Sequence, residues 1–316
     1  MRPARLLLAL APAAFVAAFA LYPVGVVLVR GLGGDGLGGE GSALDLAGTL
    51  AVLAEPRTLR AMWTTIYLSL AGTAVSLLLG LPAAWALYRL RWPGARTLRS
   101  VLSVPFVLPT IVVAAAFTAL LGSSGPMGWL GWDQSPAALV AALAFYHVSV
   151  VLRVVGTAWA GIDSRREAAA ATLGATRAQV MRHVTLPALL PAIRSAAAVT
   201  FLFCATSYGV VLVLGGSRIA TIETEIALQL TLFLDLRAAA VLAIVQLVFV
   251  GAVIALTGAG RTVGWSAAAS GGRRARAAQT PAILAATIPA VALFAVPAIA
   301  LVERSLRTAD GHSLAN

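Results

Sequence analysis

No lysine occurs anywhere in this chain, and all 23 of its basic residues are arginine. A P-loop reaches the β- and γ-phosphates of ATP with a lysine. A standard ATP-hydrolysing site is therefore excluded, and ATP-driven work falls to a partner. Charge of either sign is also scarce: 11% of the residues are charged, where a soluble domain carries about a quarter. Polar surface that thin does not cover a soluble core. Cysteine is limited to Cys204, which excludes an internal disulfide and reads as a small buried hydrophobe. His147, His183 and His312 lie far apart, with no acidic or cysteine companion at ligand spacing. No metal site, no cofactor and no nucleophile–base pair is expected, so the chain does not read as an enzyme.

What fills the sequence is apolar: 60% of the residues are hydrophobic and the mean hydropathy is +0.91. Crossing the hydrocarbon layer takes a helix of about 20 apolar residues. Seven runs qualify, at 5–29, 61–88, 100–121, 137–160, 188–214, 237–258 and 281–302. They are too long and too unalternating for barrel strands. The expected fold is an all-α polytopic transmembrane bundle, a six-helix unit plus a seventh helix. The net charge of +11 could suit nucleic acid, but the arginines sit between apolar runs and form no continuous basic face.

Arginine placement orients the spans. Arg2, Arg5, Arg89, Arg91, Arg96, Arg99, Arg165, Arg166, Arg177, Arg182, Arg261, Arg273, Arg274 and Arg276 fall on one side. Asp35, Glu40, Asp45, Glu55, Asp133, Glu223, Glu225, Glu303 and Asp310 fall on the other. The N-terminus is thus expected in the cytoplasm and residues 303–316 outside. The first run exceeds a signal-peptide core and is echoed near the other end. Pro23, Arg30 and Leu32 repeat as Pro297, Arg304 and Leu306. With the Gly-, Ser- and Arg-rich stretch 261–279 read as a flexible cytoplasmic linker, the division is a first unit at 1–260 and the start of a truncated second unit at 280–316. The seventh helix is then expected to find little to pack against.

The loop 161–187 carries the strongest signal. Residues 167–173 are alanine-rich and helical by propensity. Gly174 interrupts them, a second helical stretch covers 175–184, Leu186 and Pro187 end it, and Pro191 opens the next span. This helix–break–helix lies on the cytoplasmic side and joins directly to the fifth span. Its pattern, Glu167, Ala168 and Ala169, then Gly174, Val184, Leu186 and Pro187, resembles the cytoplasmic loop of bacterial ABC importer permeases of the binding-protein-dependent, MetI-like type. Gly174 follows Glu167 by seven residues where the family has six, which puts Ala168 in the place of the usual glutamate.

The resemblance covers about 55–258 and implies several things. The loop would dock on a pair of ATP-binding subunits, with Arg177 and Arg182 assisting. An external binding protein would deliver the solute, and a second permease half would complete the pathway in the bacterial inner membrane. The stretch 206–227 looks like the thiamine and ferric-iron branch, whose permeases fuse two six-helix halves. Within the spans, Arg153 and Arg194 read as snorkelling residues. His147, beside Tyr146 and Ser149, and Gln246 are candidate pathway-lining residues. Gly215 and Gly216 read as a helix terminator. No acid lies deep in a span, which weighs against an ion-gradient-driven secondary transporter. A membrane scaffold without transport is the other rival.

Overall fold

The computed structural model describes residues 12, 14–32, 45–257, 273–308 and 311–312. Arg2, Arg5, Asp35, Glu40, Asp310 and most of the expected linker lie outside the described residues. The helices, in chain order, are α1 (Tyr22–Leu32), α2 (Leu46–Ala54), α3 (Pro56–Arg89), α4 (Ala95–Val101), α5 (Thr110–Leu121) and α6 (Pro136–Gly161). There follow α7 (Ser164–Thr172), α8 (Arg177–Ala205), α9 (Gly209–Gly215), α10 (Ile222–Leu228), α11 (Leu236–Thr257) and α12 (Ala277–Leu306). Extended structure among the described residues is limited to two-residue ladders. The protein is all-α, as the hydropathy requires. Five helices, α3, α6, α8, α11 and α12, are long and apolar enough to cross a membrane, and a bent pair formed by α4 and α5 makes a sixth.

Four expectations are corrected. The run 100–121 is not one straight span: its two helical parts meet at 104°. Pro105 and Pro109 lack the N–H a helix needs there, and Leu108, before a proline, is extended at φ −69, ψ 139. The fifth run does not continue to residue 214. It stops at Ala205, and α9 starts afresh at Gly209. Leu186 and Pro187 do not end a helix either. The chain stays helical through them, because a π-helical turn over Met181–Thr185 loosens the hydrogen-bond ladder where the Pro187 ring would meet the preceding turn. Finally, the seventh helix is well packed. In α12, Phe294 stacks on Phe145 of α6 at 4.8 Å, Phe145 meets Phe117 of α5 edge-on, and Ala290 is fully buried.

Contacts divide the chain into two units, 1–64 with 220–251, and 65–219 with 252–316. In the first, Asp45 caps α2 by accepting from Gly48 N at 2.9 Å, and Arg237 reaches the other carboxylate oxygen at 2.7 Å. Arg57 pairs with the buried Glu225 at 2.7 Å while lying over the Phe233 ring. The Gly48 N–H, and after it Arg237, hold the Asp45 carboxyl below its usual range. A lowered carboxyl stabilises the fold above the ordinary carboxylate pKa, and that contribution is lost as pH falls through the lowered value. Replacing Asp45 with Asn is expected to remove this part of the acid sensitivity. Amide exchange in α2, compared between neutral and acid pH, checks it.

In the second unit, α3 and α6 run in the same direction in close contact. A Cβ at Gly80 would lie 2.7 Å from Cβ of Val151, and one at Gly156 would lie 2.8 Å from Cγ of Tyr88. Small residues let membrane helices approach in this way, where van der Waals packing replaces the hydrophobic drive found in water. Parallel packing is what alternating spans two and four require. Leu68, Leu87, Leu139, Leu143 and Leu152 fill the seam between the helices.

Candidate coupling site

The helix pair predicted at 161–187 is present, and its caps explain its shape. Asp163 caps α7 by accepting from Arg165 N at 2.9 Å, and Glu167 stands in the first turn, where the helix dipole favours an acid. At the far end Ala175 N donates to Ala170 O and Gly174 N to Ala171 O. This double closure places Gly174 in the left-handed region at φ +84, which glycine adopts without penalty. Thr176 then opens α8 with a capping box: Thr176 N donates to Gln179 Oε1 at 2.8 Å, and Gln179 N to Thr176 Oγ1 at 3.4 Å. Replacing Thr176 with Ala is expected to cost about 1 kcal/mol of local helix stability. Faster amide exchange over Arg177–Val180 would show it.

The pair is held from behind by Arg89, at the end of α3. Its buried guanidinium pairs with Glu167 and donates to Ile162 O at 3.3 Å. Thr185, in the π-turn, donates from Oγ1 to the other Glu167 oxygen at 2.9 Å. Glu167 therefore ties the end of α3, the start of α7 and the turn inside α8 together. It faces inward, towards a cleft of about 620 Å³ lined by Trp85, Trp159, Ala171 and Arg177. Ala168, Ala169, Gly174 and Arg177 are exposed, Leu186 and Pro187 are exposed on α8, and Val184 is half-buried. Leu173, at the tip, is 89% exposed.

Sequence reasoning missed Arg89, Thr185 and Leu173. The first two meet Glu167 across 78 and 18 residues, a separation no local pattern reveals. Leu173 had a signal, an apolar residue immediately before the glycine that ends a helix. The two expected pathway residues belong to different units. His147 is buried in α6, its ring stacked on Phe203 at 5.9 Å and its Nδ1 3.4 Å from Cys204 Sγ. Gln246 belongs to the other unit, where it donates to Glu223 at 3.4 Å. Burial raises the Glu223 carboxyl above its usual value, and that hydrogen bond partly opposes the rise. Gly216 ends α9 at φ +55, as a terminator should. Among the described residues no group of histidine, cysteine or acid could hold a metal ion.

The profile of the binding-protein-dependent transport system inner membrane components matches residues 76–259. The chain belongs to this family. It is 30% identical over 185 residues to the sulfate transport system permease protein CysW of Escherichia coli, a match covering 56% of this chain and 64% of that protein. The chain thus spans less than two thirds of that relative's length. It is 34% identical over 223 residues to the molybdenum transport system permease protein ModB of Mycobacterium tuberculosis, covering 67% of this chain and 83% of ModB. A crystal structure of a bacterial ABC transporter involved in alginate import superposes with a TM-score of 0.63 at 18% identity, over 82% of this chain and 96% of that one. A structure of the MetNI methionine transporter gives 0.51 at 18% identity over 65% and 96%. These two likenesses concern the fold. Membership of the family makes this a multi-pass inner-membrane protein of permease type. The family profile spans the helix pair at 161–187 and Arg89.

Proposed function

We propose that the protein is the membrane-spanning subunit of an ATP-driven importer of a small oxyanion of the sulfate or molybdate class. It has a cytoplasmic N-terminus, works with a pair of ATP-binding subunits and an external binding protein, and is completed by a second membrane half. The observation that carries the reading is the coupling element: an exposed apolar tip at Leu173, set by a left-handed glycine on a helix pair whose inner side is locked to α3. A hydrophobic residue so exposed outside the bilayer suits a protein partner. The capped start of α8 continues without interruption into a span, so a displacement at the dock reaches the bundle. Ala168, Ala169, Gly174, Arg177, Val184, Leu186 and Pro187 complete the element, with Glu167 as its internal tie.

The names of the relatives favour an oxyanion. Thiamine and ferric iron, suggested by 206–227, are the competing substrates. The test is uptake by the whole transporter in vesicles, offering labelled sulfate, molybdate, thiamine and ferric iron, with wild-type protein and Leu173→Asp. Burying a charge in an apolar dock costs at least about 2 kcal/mol. Leu173→Asp is therefore expected to lose co-purification of the ATPase and uptake together. Uptake without the ATPase would overturn the reading, and uptake of thiamine or iron alone would replace the substrate.

A further inference from the structure

Away from the coupling element, the second unit contains a pocket of about 150 Å³ lined by Ser103, Phe106, Ser149, Arg153 and Phe203. Arg153 belongs to α6, which is buried on nearly all sides. Between 142 and 159 its positions not fully buried are Val150, Arg153, Val154 and Thr157. That spacing is a single helical stripe. The helix runs on for eight residues beyond Arg153 to Gly161, about 12 Å. A guanidinium at such depth on the open stripe of a span faces water or an anion more readily than hydrocarbon.

The charge around it is uncompensated. Arg99 lies over the Tyr88 ring at 4.4 Å. Neither guanidinium has a carboxylate partner among the described residues. A guanidinium with no acid beside it gains from a bound anion. Guanidinium is planar and forked, which suits two oxygens of a tetrahedral oxyanion. Ser103 and Ser149 now donate to their own helices, to Arg99 O at 2.9 Å and Tyr146 O at 2.6 Å. Rotation about χ1 turns either hydroxyl to the pocket. Phe106 and Phe203, edge to face at 5.8 Å, form its apolar side.

We propose that this pocket is a way-station for a tetrahedral oxyanion in transit, with Arg153 as its charged anchor. The proposal rests on the oxyanion-import reading, and it adds a site within the membrane. A lipid phosphate shares the chemistry, but the open stripe of the most buried span favours the permeating ion.

The test uses the whole transporter with Arg153→Gln, Arg153→Lys and Ser149→Ala. Sulfate and molybdate are titrated against the complex in nanodiscs of neutral lipid, and uptake and co-purification of the ATPase are measured in parallel. Losing a charge-assisted contact is worth at least about tenfold. Arg153→Gln is expected to weaken binding and uptake by that factor while the complex still co-purifies with its ATPase, with Arg153→Lys intermediate and Ser149→Ala mild. Wild-type binding of neither ion at millimolar concentration overturns the proposal, as does unchanged uptake in Arg153→Gln. If that variant instead only strips a co-purifying anionic phospholipid, the pocket belongs to lipid phosphate and the transit role falls. Wild-type uptake without these effects leaves the import reading standing, so the two failures are distinguishable.

Discussion

Replacing Gly156 with Ala is expected to unfold the protein at markedly lower temperature, although Ala is the better helix former by about 1 kcal/mol. Propensity and packing oppose each other here, and magnitude decides. The added methyl would press against the Tyr88 ring, lying 2.8 Å from Cγ, the ring atom nearest the backbone. A rigid ring cannot fold away as the end of a long side chain does, and Arg99 already covers it. Overpacking of this kind costs about 1–3 kcal/mol, which exceeds the propensity gain. Gly251, with nothing within 4 Å of its added Cβ, is the control, and Gly251→Ala is expected to be neutral or slightly stabilising. Thermal unfolding in detergent measures both. Adding Tyr88→Ala to Gly156→Ala should cost less than the sum of the single changes, because the two positions share one contact.

The second large effect concerns the Arg89–Glu167 pair. Side-chain exposure is 7% for Arg89 and 18% for Glu167, so neither charge is well solvated alone. Glu167→Ala leaves the arginine with the Ile162 carbonyl as its acceptor. Breaking a fully buried pair costs about 3–5 kcal/mol, and the partial exposure of Glu167 brings the expectation down to about 1–3 kcal/mol. Arg89→Leu with Glu167→Leu should recover much of this, since removing both charges leaves neither stranded. Stimulated ATPase activity adds a separate reading. If the pair transmits the docking movement, the double variant regains stability without regaining coupling.

Much of the fold was legible because hydropathy reports directly on whether a helix is apolar and long enough to cross a bilayer. The helix pair at 161–187 was legible for a local reason as well, since alanine, glycine and capping residues act within a few positions. The bends were partly legible: Pro105 and Pro109 both stood in the third run, and the run was long enough to hide them. The unbroken helix through Pro187 was not, because a π-turn is a backbone adjustment with no residue signature. Nor was the embedding of α12, which depends on rings at Phe145 and Phe294 that are far apart in sequence. Arg153 was visible as a charge in a span, while the open stripe it shares with Val150, Val154 and Thr157 appears only from the burial over the rest of α6.

The continuity of α8 has a mechanical consequence. Its 29 residues at 1.5 Å each form a rod about 43 Å long. A rod of that length, pivoting near one end, turns a tilt of about 10° into roughly 7 Å of travel at the other. A hinge at Leu186 and Pro187 would have absorbed such a tilt. Without one, a tilt imposed at the cytoplasmic end would reach Phe203 and Cys204, and the first break in the helix follows at Thr206.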